Sequence, residues 1–248
     1  MKLWNVAAAM LVALAATTAR AQDNAPASIT AQRDAMIFYV AHGAPGACGP
    51  NCADWIAAEG VVQWDTFKRL MALLDRIAAR KLPVILNVRG EGNLNVATTL
   101  GKIIRQHGLD AGAGATRVAS CAGKPEAECL AFKRGGVALE ASLDASAVEC
   151  DIVCVLTLAG GVNRTLPADA KVTIGPAQIR NRLAPNVSEA HQEGLQARYG
   201  ELFRLYLIQM GVIAELIDIV DRNTEARRVT VLKRDDWLRL RLVTALAL

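Results

Sequence analysis

Aromatic side chains are few in this 248-residue chain, at 4% of residues, which excludes a core built on large rings. The 52% hydrophobic content must then come from Ala, Leu, Val and Ile, side chains that let helices pack closely on a small sheet. Histidine is limited to His42, His107 and His191. No two of them have metal-ligand spacing, and they read as solvated residues of a loop, a helix end and a polar helix. Serine is limited to Ser28, Ser120, Ser142, Ser146 and Ser188. Beyond the N-terminal segment no apolar run reaches the roughly 20 residues that a bilayer requires. The longest, Ile152 to Val162, reads as a buried helix. The formal charge is only +4, with both signs interspersed, so nothing electrostatic points to nucleic acid.

What is present begins with Met1-Lys2, an uncharged run from Leu3 to Thr18, and Ala19-Arg20-Ala21 ahead of Gln22. That layout predicts a secretory signal over residues 1–21, with a periplasmic or secreted product. Residues 22–35 read as a flexible lead-in, and 36–248 as a single domain. Six cysteines follow the signal: Cys48, Cys52, Cys121, Cys129, Cys150 and Cys154. An even count in an exported chain points to disulfides, and the order along the chain suits three local pairs, although six cysteines allow many connectivities. The other use of four of them, Cys48, Cys52, Cys150 and Cys154 as thiolate ligands, meets two objections. The spacing is looser than zinc sites use, and thiolates oxidise outside the cytosol. No metal is expected.

Along the chain, Met36 to Val40 reads as a strand that ends in the turn-rich His42-Gly-Ala-Pro-Gly46. A short strand is expected at Gly60 to Gln63. Asp65 is placed to cap a helix, since Phe67, Leu70, Leu74 and Ile77 recur at helical spacing. Pro83 to Val88 suits a central parallel strand, and Gly90-Glu91-Gly92 a turn into a helix from Leu94 to Gln106. Alternation of strand and helix of this kind is an α/β signature. Ala111 to Ala147 reads as one short strand near Thr116 to Ala119 and an irregular insertion closed by Cys121 and Cys129. Further elements are expected at Lys171 to Ile174, Ser188 to Met210, Val212 to Val220, Arg228 to Leu232 and Arg234 to Leu242.

Six stretches carry a family resemblance: Cys52-Ala-Asp-Trp-Ile-Ala-Ala-Glu-Gly60, Leu82-Pro-Val-Ile-Leu-Asn87, Leu100-Gly-Lys-Ile-Ile-Arg105, Leu158-Ala-Gly-Gly-Val-Asn-Arg164, Tyr206 with Met210-Gly211, and Trp237 to Thr244. In this order they resemble the exported, predicted periplasmic proteins of the Clp-protease/crotonase-like superfamily. The resemblance implies repeated strand-strand-helix units around a mainly parallel sheet, C-terminal helices, and assembly into homo-oligomers. In the peptidase branch it also implies a serine at the start of a buried helix, a histidine on a following strand, and an oxyanion site in a glycine-rich turn.

Here the motif positions hold other residues. Cys150-Asp-Ile-Val-Cys154 places Ile152 where the serine would stand, and Gly175-Pro-Ala177 places Ala177 where the histidine would stand. The turn is Arg89-Gly90-Glu91-Gly92, with a carboxylate that opposes oxyanion charge. Ser146 is the relocated nucleophile to weigh. Glu91 and Asp151 could flank the pocket as a hydratase-like acid/base pair, but that branch uses coenzyme A, a cytosolic cofactor, so no cofactor is expected and Asp151 is assigned to capping. The expectation is a catalytically degenerate binding or assembly module with a peptide or envelope protein as partner. The rival expectation is an active serine-type peptidase or hydrolase using relocated residues.

Overall fold

The protein, seen in a computed structural model, is described at residues 34–78, 80–177 and 188–244. The expected signal segment and the lead-in up to Arg33, with Ser28, lie outside the described residues. Strands Ile37–His42 (β1) and Asp54–Gly60 (β2) come first, then helix Thr66–Ile77 (α1), Val84–Val88 (β3) and Leu94–Gln106 (α2). Next come Ala111–Ala113 (β4), Ala115–Val118 (β5), a 3-10 turn at Ala119–Cys121, Glu126–Arg134 (α3), Leu139–Asp144 (β6) and Glu149–Cys150 (β7). The remainder is Ile152–Leu158 (α4), Arg164–Thr165 (β8), Lys171–Ile174 (β9), Glu189–Gln209 (α5), Glu215–Ala226 (α6), Thr230–Leu232 (β10) and Arg234–Arg239 (α7).

The class is mixed α/β. A seven-stranded sheet has the order β5-β6-β1-β2-β3-β4-β8, and a second sheet has the order β10-β9-β7. Pairing from β2 through β3 and β4 to β8 is parallel, as are β1 with β6 and β7 with β9. The pairs β1-β2, β5-β6 and β9-β10 are antiparallel. Alternation along β3 sends Val84 and Leu86 into the larger core with the helices, and Ile85 into a smaller cluster with Tyr39, Trp55 and Val118 on the other side. Helix α2 starts where Asn93 accepts the Val96 N–H at 3.1 Å. It buries Val96, Ala97, Leu100, Ile103 and Ile104 along one face.

Several expectations are corrected. The second strand is Asp54–Gly60 and not Gly60 to Gln63, because Trp55, Ile56, Ala57 and Ala58 are buried from both sides while the chain turns after Gly60 at φ +119°. Asp65 precedes α1 without a side-chain cap; its carboxylate pairs with Arg69 at 2.7 Å instead. The stretch expected to be irregular, Ala111 to Ala147, holds β4, β5, α3 and β6. The last residue of the expected lead-in, Ala35, is 4% exposed and bridges Val61. The helix expected over Val212 to Val220 begins later, at Glu215, and runs to Ala226.

Helix α2 meets the end of α4 backbone to backbone: a Cβ on Gly160 would collide with the backbone of Gly101. Two arginines fasten this crossing. Arg105 donates to the carbonyls of Gly160 (2.9 Å), Gly161 (2.8 Å), Ala159 and Met210. Arg164, 4% exposed, donates to Leu242, Gly161, Met210 and Arg241. Truncating Arg164 leaves buried carbonyls without donors, each worth about 1–3 kcal/mol. Arg164→Leu is therefore expected to lower unfolding free energy by about 2–4 kcal/mol in a urea titration.

Candidate functional site

The two positions where the family motif would put nucleophile and base come together. Ile152, in the first turn of α4, and Ala177, just after β9, line one cavity of about 20 Å³, room for about one water molecule. Leu94 at the start of α2, Leu156 of α4, Phe203 of α5 and Ile217 of α6 close it. Its polar members are Gln196 and Asp221. Both are engaged: Gln196 donates to the Ala177 carbonyl at 3.1 Å, and Asp221 accepts from Arg204 at 2.7 Å. Burial, with Asp218 and Glu225 nearby, raises the Asp221 pKa against the pull of Arg204. The Ala177 N–H is taken by the Thr224 hydroxyl at 3.1 Å. Among the described residues lining the cavity there is no hydroxyl, thiol or imidazole.

The glycine turn lies beside α4. A Cβ on Gly92 would be 2.9 Å from a methyl of Val153, so only glycine lets the turn sit there, and Gly90 takes the left-handed φ of +60°. Glu91 points its residue to solvent and is not a cavity member. Asp151 caps α4 as expected, accepting the Cys154 N–H at 3.0 Å. Burial raises its pKa, opposed by these backbone donors. A disulfide between Cys150 and Cys154 spans the cap, while Cys48–Cys52 and Cys121–Cys129 form the other two, the local pattern that the cysteine order suited. The four cysteines weighed as metal ligands are thus bonded in two pairs, and among the described residues no group of His, Cys, Asp and Glu is arranged to hold a metal ion.

Ser146 lies away from the cavity, in the turn after β6. Its hydroxyl donates to Asp144 at 2.5 Å, and Arg117 pairs with the same carboxylate. These contacts with the hydroxyl and backbone N–H of Ser146, together with Arg117, lower the Asp144 pKa to about 2. A serine hydroxyl held by a carboxylate that stays ionised has an acceptor but no imidazole to shuttle its proton.

No family model matches the chain, and no curated protein matches it. Solved structures similar to it include ClpP1 of Listeria monocytogenes in a mutant form, at 12% identity and TM-score 0.45, covering 75% of this chain and 88% of that one. The ClpP protease catalytic domain of Plasmodium falciparum is 11% identical at TM-score 0.43, covering 76% and 82%. A further peptidase of Plasmodium falciparum is 10% identical at TM-score 0.41, covering 76% and 93%. No site residue is carried across from them. Among the described residues no helix is long and apolar enough to cross a membrane.

A second polar constellation escaped the sequence reading. His42 ends β1 rather than sitting in a loop, and the hairpin register puts it opposite Asp54, whose Oδ1 lies 2.5 Å from its Nδ1. Arg80 pairs with the other carboxylate oxygen. Placing β2 at Asp54 would have revealed this pairing, because directly opposed residues on antiparallel strands touch. The hydrogen bond to Asp54, helped by Glu140, raises the His42 pKa, and the same bond with Arg80 lowers that of Asp54. The raised histidine contributes stability present below its unfolded value of 6.5 and lost as pH climbs through its folded value. The lowered carboxyl contributes stability present above 3.8 and lost as pH falls through its folded value. The melting-temperature difference between the native protein and His42→Gln is expected to peak between pH 3.8 and 6.5 and to shrink on either side.

Proposed function

We propose that this is an exported Clp-protease/crotonase-like protein, processed after Ala21, that has lost peptidase chemistry and works in the periplasm or outside the cell as a binding or assembly module. The observation that carries this function is the convergence of Ile152 and Ala177 on one small apolar cavity. Acyl transfer needs a nucleophile with a base in hydrogen-bond reach and donors aimed at the oxyanion. In the cavity the first two are replaced by aliphatic groups. The turn at Gly90, Glu91 and Gly92 borders α4 without facing any reacting group. Exposure of Leu202, Leu205 and Ile208 along α5, at 50%, 47% and 61%, supplies an apolar stripe that a second copy or an envelope protein would cover.

The rival, a hydrolase using Ser146, has the serine's contact with Asp144 in its favour and the missing imidazole against it. A fluorophosphonate probe applied to the purified mature protein is expected to leave every serine unlabelled; a labelled peptide carrying Ser146 would establish the rival instead. The paired change Ile152→Ser with Ala177→His is expected to gain labelling at position 152. For assembly, light scattering is expected to give a mass above one chain, falling toward one chain for Leu205→Glu.

A further inference from the structure

We propose that Cys48–Cys52 is a redox-active disulfide that exchanges with cysteine thiols of an extended polypeptide segment seated in the groove beside it. The groove, about 640 Å³ and open, runs across the starts of β2, β3 and β4. That is ample for a short stretch of peptide. Both cysteines and His42 line it, together with Ile85 and Gly112. The cavity at Ile152 lies at the opposite end of β3, beyond the turn that follows Val88, so the exchange does not depend on whether peptidase chemistry has been lost.

Three observations single out this disulfide. Cys48 and Cys52 line the groove and are half-buried; Cys121 and Cys129 are equally half-buried but line no such groove, and Cys150 and Cys154 are 0% and 1% exposed inside the core. The loop that Cys48 and Cys52 close is also held by backbone hydrogen bonds, Gly46 N–H to the Cys52 carbonyl at 3.0 Å and Cys52 N–H to the Gly49 carbonyl at 3.0 Å, so the sulfurs can part without releasing the loop. The sulfurs lie 3.6 and 3.5 Å from the carbonyl oxygen of Asp54, the residue whose side chain holds the imidazole of His42. His42 lines the same groove, and a protonated imidazole that reaches a sulfur favours its thiolate and can return a proton to it. The charged groups beside His42 are Asp54 with its partner Arg80, and Glu140 on β6; Lys81 and Asp110 line the same groove.

Cys48 packs against the smaller core, which leaves Cys52 as the outer sulfur. A thiolate of the polypeptide attacks Cys52 Sγ; the Sγ–Sγ bond breaks, and Cys48 leaves as a thiolate that takes up a proton. A second thiolate of the polypeptide then attacks its own sulfur in the mixed disulfide and releases Cys52. Two electrons and two protons pass from the polypeptide dithiol to Cys48 and Cys52, and the polypeptide is left with a disulfide. A polypeptide bearing a disulfide runs the same steps backward and restores the bond.

The test incubates the full mature protein with a reduced synthetic peptide containing two cysteines, then maps alkylated cysteines by mass spectrometry while circular dichroism follows the fold. One peptide disulfide per protein is expected, with Cys48 and Cys52 alkylated, the other four protected and the fold intact. Cys48→Ser, mixed with the oxidised peptide, is expected to form a Cys52 adduct at least tenfold faster than Cys121→Ser forms one at Cys129. Equal rates, or opening only with loss of the fold, would overturn the proposal. In His42→Gln the exchange rate is expected to keep only the rise with pH set by the peptide's own thiolate fraction and to lose any further inflection near neutrality; an unchanged profile would overturn the part given to His42.

Discussion

Two guanidinium groups, one buried and one half-buried, with no carboxylate partner among the described residues, hold the molecule together. Arg105 and Arg164 are satisfied entirely by main-chain carbonyls, and both reach Gly161 and Met210. Those carbonyls belong to the ends of α4 and α5, where the helix dipole is negative, so the backbone itself supplies the compensating charge. Arginine remains a cation even where burial and its neighbour lower its pKa, as happens to Arg164. Five donors in a planar fork let each arginine serve four carbonyls at once, more than the three N–H groups of a lysine could. The consequence is that α2, α4, α5 and the segment from Arg241 to Thr244 share one fastening point. Gly101 and Gly160 are obligatory there because the backbones touch, and Tyr206 closes the gap by donating to the Leu156 carbonyl at 2.7 Å.

From this fastening α4 projects its first turn into the cavity, with Asp151 and the Cys150–Cys154 bond fixing its start. The opposite face of the sheet is organised differently. There Lys133 of α3 reaches down to Glu59, whose carboxylate also accepts from Tyr39, and the Lys133 ammonium stands 5.5 Å from the centre of the Tyr39 ring. Burial and the Glu59 charge push the Tyr39 hydroxyl pKa up, so it stays a donor. Trp55 donates to Thr116 at 2.9 Å on the same face.

Legibility in the sequence followed the strength of local signals. Helix α2 was readable to the residue because an Asn cap and a clean apolar period coincide at Leu94–Gln106. Strand β9 was equally plain at Lys171–Ile174. Strand β2 was misplaced because its alanines have little strand preference and are enforced by neighbours on both sides. Helix α3 was missed because it buries no residue and is held from outside, by the Cys121–Cys129 bond and by Lys133. The approach of Ile152 to Ala177 was implied by family resemblance alone, since nothing local joins residues on separate elements. The arginine fastening was invisible for the same reason: its acceptors are carbonyls, which every sequence has and no sequence marks.

All three cross-links join near neighbours, separated by 4, 8 and 4 positions. Closing so short a loop demands little ordering. Each pair can therefore meet before distant parts of the chain have come together, and a thiol's own near neighbour is the mate that wrong pairings must outcompete.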